Sequence, residues 1–304
     1  VKVLVTGGAG FIGSHVVEWL IHKGHSPVVL DNLSSGKRDH LPDSIPIYQI
    51  DVASDEVKNV FKEEQPDAVI HMAAQTDITT SILHPEEDIR TNVLGTIQLL
   101  SCAKEYNIKQ FIFSSSCAVY GDHKGLMNEQ TPTSPISVYG VSKLAAETYI
   151  KLFYQLFGVP YTIFRYGNVY GPRQDSSGEG GVVAIFIRNM LLKQDPIIYG
   201  SGKQTRDFVY VQDVARANEK ALTSALNDTF TIGSSQTLSI NDLYHLLDGK
   251  LPGNYSPVYK PEKDGDIQQC VLDHAKATKY LNWTPSVTMH SGLDETINWM
   301  KKTL

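Results

Sequence analysis

A chain of 304 residues with 41% hydrophobic content can bury a full core, as one large domain or two modest ones. Its 27 Lys and Arg against 33 Asp and Glu give a net charge of −6 with no basic stripe. Nucleic acid and anionic membranes are therefore excluded as partners on electrostatic grounds, and no apolar run approaches the ~20 residues of a membrane span.

The run Val1-Lys2-Val3-Leu4-Val5 reads as a strand, followed at once by Thr6-Gly7-Gly8-Ala9-Gly10-Phe11-Ile12-Gly13. A strand turning sharply into a helix must let its backbone approach a ligand, and a Cβ at Gly7 or Gly10 would obstruct that. The helix opened by Phe11 and Ile12 aims its first N–H groups at the pyrophosphate of a dinucleotide. Gly13 lets helix and strand pack closely. The spacing is one residue wider at the front than G-x-G-x-x-G, and alone it would suit any Gly-rich turn. The second strand, Ser26-Pro27-Val28-Val29-Leu30, ends in Asp31, about 20 residues beyond, where a carboxylate bonds ribose hydroxyls. It repels a 2′-phosphate, so NAD is expected rather than NADP. Lys37 and Arg38 read as solvated loop charges.

Further strands are expected at Pro46–Ile50, Asp67–His71, Gln110–Ser114 and Pro160–Phe164, with amphipathic helices at Ser54–Glu64, Glu87–Tyr106 and Val138–Phe157. This alternation predicts an α/β fold, a doubly wound parallel Rossmann sheet over residues 1–170. Past Tyr166 the alternation weakens, and 175–181 reads as a mobile loop. Shorter helices near Val182–Leu192, Ile240–Leu247, Asp273–Leu281 and Ser291–Lys302 predict a smaller α/β lobe over 171–304. A segment around 205–235 is expected to return to the first domain. Cys102, Cys117 and Cys270 are too few and too scattered for a disulfide framework or a metal site. The chain opens directly on a strand, so a reduced, cytoplasmic protein is expected unless a signal peptide was removed.

Tyr139 and Lys143, four apart on a predicted helix, share one face. An adjacent ammonium and an oxidised nicotinamide would bring a phenol of pKa ~10 into the range of a base. Ser114-Ser115-Ser116 closes the fifth strand, where a hydroxyl can donate to a sugar oxygen and share a proton with Tyr139. Asn92 sits inside a helix, unfavourably unless its side chain has a partner.

With Asp31-Asn32-Leu33, His71-Met72-Ala73-Ala74, Ser114 to Gly121, Arg165 to Arg173 and Gln204 to Val214, these motifs resemble the extended short-chain dehydrogenase/reductase superfamily. Within it the chain is most similar to the UDP-glucose 4-epimerases (UDP-galactose 4-epimerases), from Val1 to about Trp283. The resemblance implies that Ser116 is the catalytic hydroxyl, Tyr139 the acid/base, and Lys143 its tuner and a ribose ligand. It implies cofactor contacts from Gly7, Gly10, Phe11, Ile12, Gly13, Asp31, Asn32, Ser34 and Gly36. Asp51, Val52, Ala73, Ala74, Asn92, Ser114 and Tyr166 join them. For a UDP-sugar it implies Thr76, Ser116, Tyr139, Asn168, Gly181, Val182, Tyr199, Arg206, Lys263 and Cys270. Arg206 suits a diphosphate, although pairing with Asp207 is the plainer reading.

Two departures stand out. Lys263 replaces the usual arginine ahead of Gly265-Asp266, and Cys270 stands where some members carry a tyrosine against the hexose. The resemblance also implies a homodimer through the Glu87–Tyr106 and Val138–Phe157 helices, and a place in nucleotide-sugar and galactose metabolism. A 4,6-dehydratase needs an acid pair at Cys117 and Ala118, and a UDP-glucuronate decarboxylase a glutamate at Ala118; both are absent. Asp31 disfavours an NADPH-consuming reductase. A non-catalytic NAD-sensing protein would be expected to have lost Tyr139 or Lys143. A UDP-glucuronate 4-epimerase stays open. C4 epimerisation of a UDP-hexose through a transient 4-keto sugar is the expected reaction, on UDP-glucose/UDP-galactose and on their N-acetylamino counterparts.

Overall fold

Apolar runs of two to seven residues form the strands: β1 (Lys2–Thr6), β2 (Ser26–Leu30), β3 (Ile47–Tyr48), β4 (Ala68–His71), β5 (Gln110–Ser116) and β6 (Tyr161–Tyr166). Between them stand α1 (Phe11–His22), α2 (Val57–Glu64), α3 (Ile78–Leu83), α4 (Pro85–Ile89), α5 (Gly95–Glu105) and α6 (Val138–Phe157). The computed structural model describes every residue except 178, 179, 225, 252 and 263–266. A seventh strand, Asp228–Ile232, completes a wholly parallel sheet in the order Asp228–Ile232, β6, β5, β4, β1, β2, β3.

Both faces of a parallel sheet must be covered, so its strands are apolar on both sides. Val3, Val5, Ile70, Ile112, Phe164 and Phe230 point to one face, beneath α1 and helix Val211–Ala221. Leu4, Val28, Val69, Phe111, Phe113 and Ile163 point to the other, beneath α2, α5 and α6. The winding reverses between β1 and β4, which opens a crevice at their carboxyl ends, the usual place for a ligand in such sheets.

The expected helix Glu87–Tyr106 is interrupted. Between α4 and α5 lies one π-turn, Arg90–Leu94, carrying Asn92. Helix Val211–Ala221 has no counterpart in the sequence reading, because its apolar stripe is thin among charged residues. The remaining strands pair two by two, Asn168–Tyr170 with Phe208–Tyr210, Ile197–Tyr199 with Val258–Lys260, and Thr205–Arg206 with Leu238–Ser239. Helices Val182–Leu191, Ile240–Asp248 and Met289–Thr303 bury Phe186, Met190, Leu243, Leu247 and Leu293 around Tyr170 and Tyr210.

Helix α6 is bound to the sheet by charge as well as by apolar packing. Glu147 accepts from Arg165 Nε at 2.9 Å and Nη2 at 2.6 Å, and from Ser115 Oγ at 2.7 Å, while Arg165 Nη1 donates to the Tyr120 hydroxyl at 3.0 Å. Burial pushes the Glu147 carboxyl up, but the Arg165 hydrogen bonds and charge outweigh it and hold it below the ordinary range. Arg165→Met strands this carboxylate and should lower unfolding free energy by about 3–5 kcal/mol. Urea melts check it: Arg165→Met with Glu147→Leu should recover most of the loss, whereas an equally unstable double variant would contradict the pairing.

Candidate active site

The Gly-rich turn sits at the reversal between β1 and β4. Gly7 has φ +65°, and a Cβ there would lie 2.6 Å from Ala73 N. A Cβ at Gly13 would collide with the Gly7 carbonyl, so both positions are dictated by close backbone packing. Gly10 is looser, with 3.2 Å to the Gly7 oxygen. It caps α1 with no side chain, and the first turn, from Phe11 and Ile12, carries no acidic residue. The free N–H groups and positive end of α1 are therefore available to an anion.

At the end of β2, buried Asp31 accepts from Ala9 N at 2.9 Å and Leu33 N at 2.8 Å, which leaves carboxylate lone pairs for hydroxyl donors. Gly36 packs against this carboxylate, and Ser34 N donates to Asn32 Oδ1. Asn32 in turn donates to Asp51 at 3.2 Å. Val52 is buried under Gly95, while Ala73 N donates to Thr6 Oγ1 and Ala74 follows it, half-buried. These groups fit an adenosine and a pyrophosphate. The Arg38 guanidinium, read above as solvated, is folded back onto the carbonyls of Leu41, Pro42 and Asp43. That leaves exposed Lys37 as the nearby cation for a 2′-phosphate.

Asn92 spends both ends of its amide on protein: Oδ1 accepts from Gln75 N, and Nδ2 faces Gln75 O, Asp88 Oδ1 and Ser142 Oγ at 3.0–3.1 Å. It anchors the loop after β4, where Thr76 lies exposed, to α6. The Tyr166 ring packs in the core on Phe164, and its hydroxyl accepts from Asn218 at 2.8 Å.

The reacting groups converge at the ends of β5 and α6. Lys143 Nζ donates to Ser114 O at 2.9 Å and lies 5.9 Å from the Tyr139 ring centroid. Ser116 Oγ, at the end of β5, accepts from Ala118 N at 3.1 Å. Burial pushes the Tyr139 phenol up, only partly offset by the Ser116 hydroxyl. Burial also draws Lys143 down, to about 8.

Across the cleft, Asn168 Oδ1 is buried without a protein partner, aligned on Phe208 through its strand. Gly181 caps helix Val182–Leu191, whose first turn also lacks acids. Tyr199 closes its strand, and Arg206 Nη1 donates to Thr205 O at 2.9 Å. The Asp207 carboxylate accepts four hydrogen bonds from Ser234, Ser235 and Leu272, so pairing with Arg206 is not its role. Cys270, far from Cys117 in sequence, shares a small buried cluster with it and with Met127 and Leu272. Lys263 lies outside the described residues. The Glu147–Arg165 pair escaped the sequence reading, although Glu147 continues the Tyr139/Lys143 face and Arg165 is a charge inside an apolar strand.

A family model described as the NAD dependent epimerase/dehydratase family matches residues 3–233. The chain belongs to that family. It is 41% identical over 301 residues to a putative UDP-glucose 4-epimerase of Methanocaldococcus jannaschii, covering 98% of each. Among solved structures it is similar to the UDP-glucose 4-epimerase of Thermotoga maritima with UDP-glucose, at TM-score 0.97 and 41% identity over 100% and 99% of the two chains. It is likewise similar to the Thermus thermophilus UDP-glucose 4-epimerase complex with NAD, at 0.95 and 36% over both full lengths.

Asp31, with Arg38 turned away, should make apo-protein select NAD over NADP by well over tenfold in a fluorescence titration. Equal affinities would show that Lys37 outweighs the carboxylate.

Proposed function

We propose that this protein is a UDP-hexose 4-epimerase that works with tightly bound NAD. What carries the reading is that Ser116, Tyr139 and Lys143 gather at the carboxyl end of β5, in the same parallel sheet whose β1 and β2 end in the Gly-rich turn and Asp31. Phe11, Ile12, Asp31, Asn32, Ser34, Gly36, Asp51 and Val52 would hold the cofactor's adenosine and pyrophosphate, and Lys143 its other ribose. When bound, the nicotinamide supplies the hydride acceptor and donor at C4. Tyr139 takes the O4 proton and later returns it, with Ser116 hydrogen-bonded to the same oxygen. The resulting 4-keto sugar turns over before the hydrogen is restored on its other face.

Asn168, Gly181, Val182, Tyr199 and Arg206 would hold UDP. The buried, unpartnered Asn168 oxygen supports a donor from the ligand there. Cys117 and Ala118 supply no acid pair for dehydration, which favours epimerisation over a 4,6-dehydratase reaction.

A homodimer through α5 and α6 agrees with the exposed Leu152, Leu156 and Phe157 along α6. No described helix is long and apolar enough to cross a membrane, and the unpaired cysteines support a reducing, cytoplasmic setting.

Purified protein should interconvert UDP-glucose and UDP-galactose without added cofactor. Tyr139→Phe should lower kcat by about 10²–10⁴-fold with UDP affinity retained. Near wild-type turnover in that variant would sink the mechanism.

Substrate breadth would follow from Cys270, which stands where some family members carry a tyrosine against the hexose. UDP-N-acetylglucosamine should also be epimerised, and Cys270→Tyr should abolish that activity while sparing UDP-galactose. Equal loss of both would mean that the tyrosine merely overpacks the Cys117 cluster, and that Cys270 is not the gate.

A further inference from the structure

Asp88 is fully buried on α4, one helical turn before Asn92. Its Oδ1 faces Asn92 Nδ2 at 3.1 Å and Gln75 Nε2 at 3.4 Å, while Oδ2 is buried with no partner. The same Asn92 nitrogen lies 3.0 Å from Ser142 Oγ, and Ser142 donates to the carbonyl of Tyr139. A bracket of hydrogen bonds thus joins Asp88 to the turn of α6 that carries the acid/base pair. A buried carboxylate without an opposite charge is costly. Among the described residues Asp88 is in no ion pair, and the cation it is coupled to is Lys143.

We infer that Asp88 is a positioning residue for the acid/base pair: the buried negative charge that keeps Lys143 an ammonium and, through Asn92 and Ser142, fixes the helical turn bearing Tyr139. This rests on the epimerase reading. The groups facing Lys143 are Asp88 on α4, Glu147 and Tyr139 on α6, and His71 on β4. Glu147 is already matched by Arg165, and burial drives His71 down to about 3, so it is neutral. Asp88 remains as the uncommitted counter-charge. Burial lowers Lys143, and Asp88, ahead of Glu147, pushes it back up. Tyr139 faces Asp88, Cys117 and Ser116, and Asp88 raises it in the same sense. Burial raises the carboxyl of Asp88 itself, while Ser142, Lys143 and Asn92 pull it back toward ionisation.

A negative charge that disfavours proton loss from both groups leaves a signed signature. If the acid limb of the kcat profile reports Tyr139 and the basic limb Lys143, removing that charge moves both limbs the same way, to lower pH. Asp88→Asn keeps the shape and an acceptor for Asn92. In NAD-loaded protein it should shift both limbs down by roughly one pH unit, with KM for UDP-galactose unchanged. Asp88→Glu keeps the charge, so its limbs must stay in place even where rate or melting temperature falls. A purely structural role predicts a lower melting temperature in Asp88→Asn with unmoved limbs, and that result overturns the inference. Displaced limbs in Asp88→Glu overturn it independently, including where Asp88→Asn fails to fold. Absence of interconversion by wild type would instead sink the epimerase reading.

Discussion

Helix α6 has to bury charge. Its inward face presents Lys143 and Glu147 to the sheet, both almost fully shielded from water, and neither can stay ionised there without a partner. Glu147 is matched by a two-pronged Arg165, a geometry suited to a planar guanidinium. Lys143 has no such partner on its strand; it has the Ser114 carbonyl, the Phe113 ring 4.9 Å away, and the charge of Asp88. The well-matched pair serves as the anchor, and the less saturated lysine one turn earlier is left able to respond to what occupies the cleft. Anchor and reacting group differ in how completely their charge is satisfied.

The same division runs through the Gly-rich turn. Gly7 and Gly13 are required by protein contacts alone, since side chains there would meet the backbone of Ala73 or Gly7. Gly10 faces no comparable obstruction, and its lack of a side chain serves the open end of α1. Rigid backbone packing thereby fixes where the helix points, while the groups that meet a ligand are left unspent. Asn168 Oδ1, on the strand paired with Phe208–Tyr210, repeats the pattern.

Local periodicity made much of this legible. The Gly turn, the strand ending in Asp31, and Tyr139 with Lys143 on one helix face are set within a few residues, and α6 occupies the expected span. What escaped depends on long-range pairing. Asn92 looked misplaced in a helix; the π-turn and its contacts with Gln75, Asp88 and Ser142 account for it. Cys117 and Cys270 looked scattered because nothing in a linear reading brings the end of β5 beside the segment hydrogen-bonded to Thr205. Along β6, strand alternation turns the Tyr166 ring into one core layer while Arg165 faces Glu147 on the other side, a pairing no local pattern announces.

Epimerisation also asks for an unequal cleft. A sugar that must turn over within one bound complex cannot be gripped as firmly as the nucleotide that carries it, so affinity belongs at the diphosphate and base. The distribution of side chains follows that demand. Arg206, Asn168 and the helix Val182–Leu191, capped by Gly181 without a side chain, would supply charge, an unspent acceptor and free N–H groups at one end. Beyond Ser116 at the end of β5 the chain continues with Cys117 and Ala118, small and poor in hydrogen bonding. The strongest directional contact expected at the hexose is therefore the one at O4, where the proton moves, and rotation breaks little else.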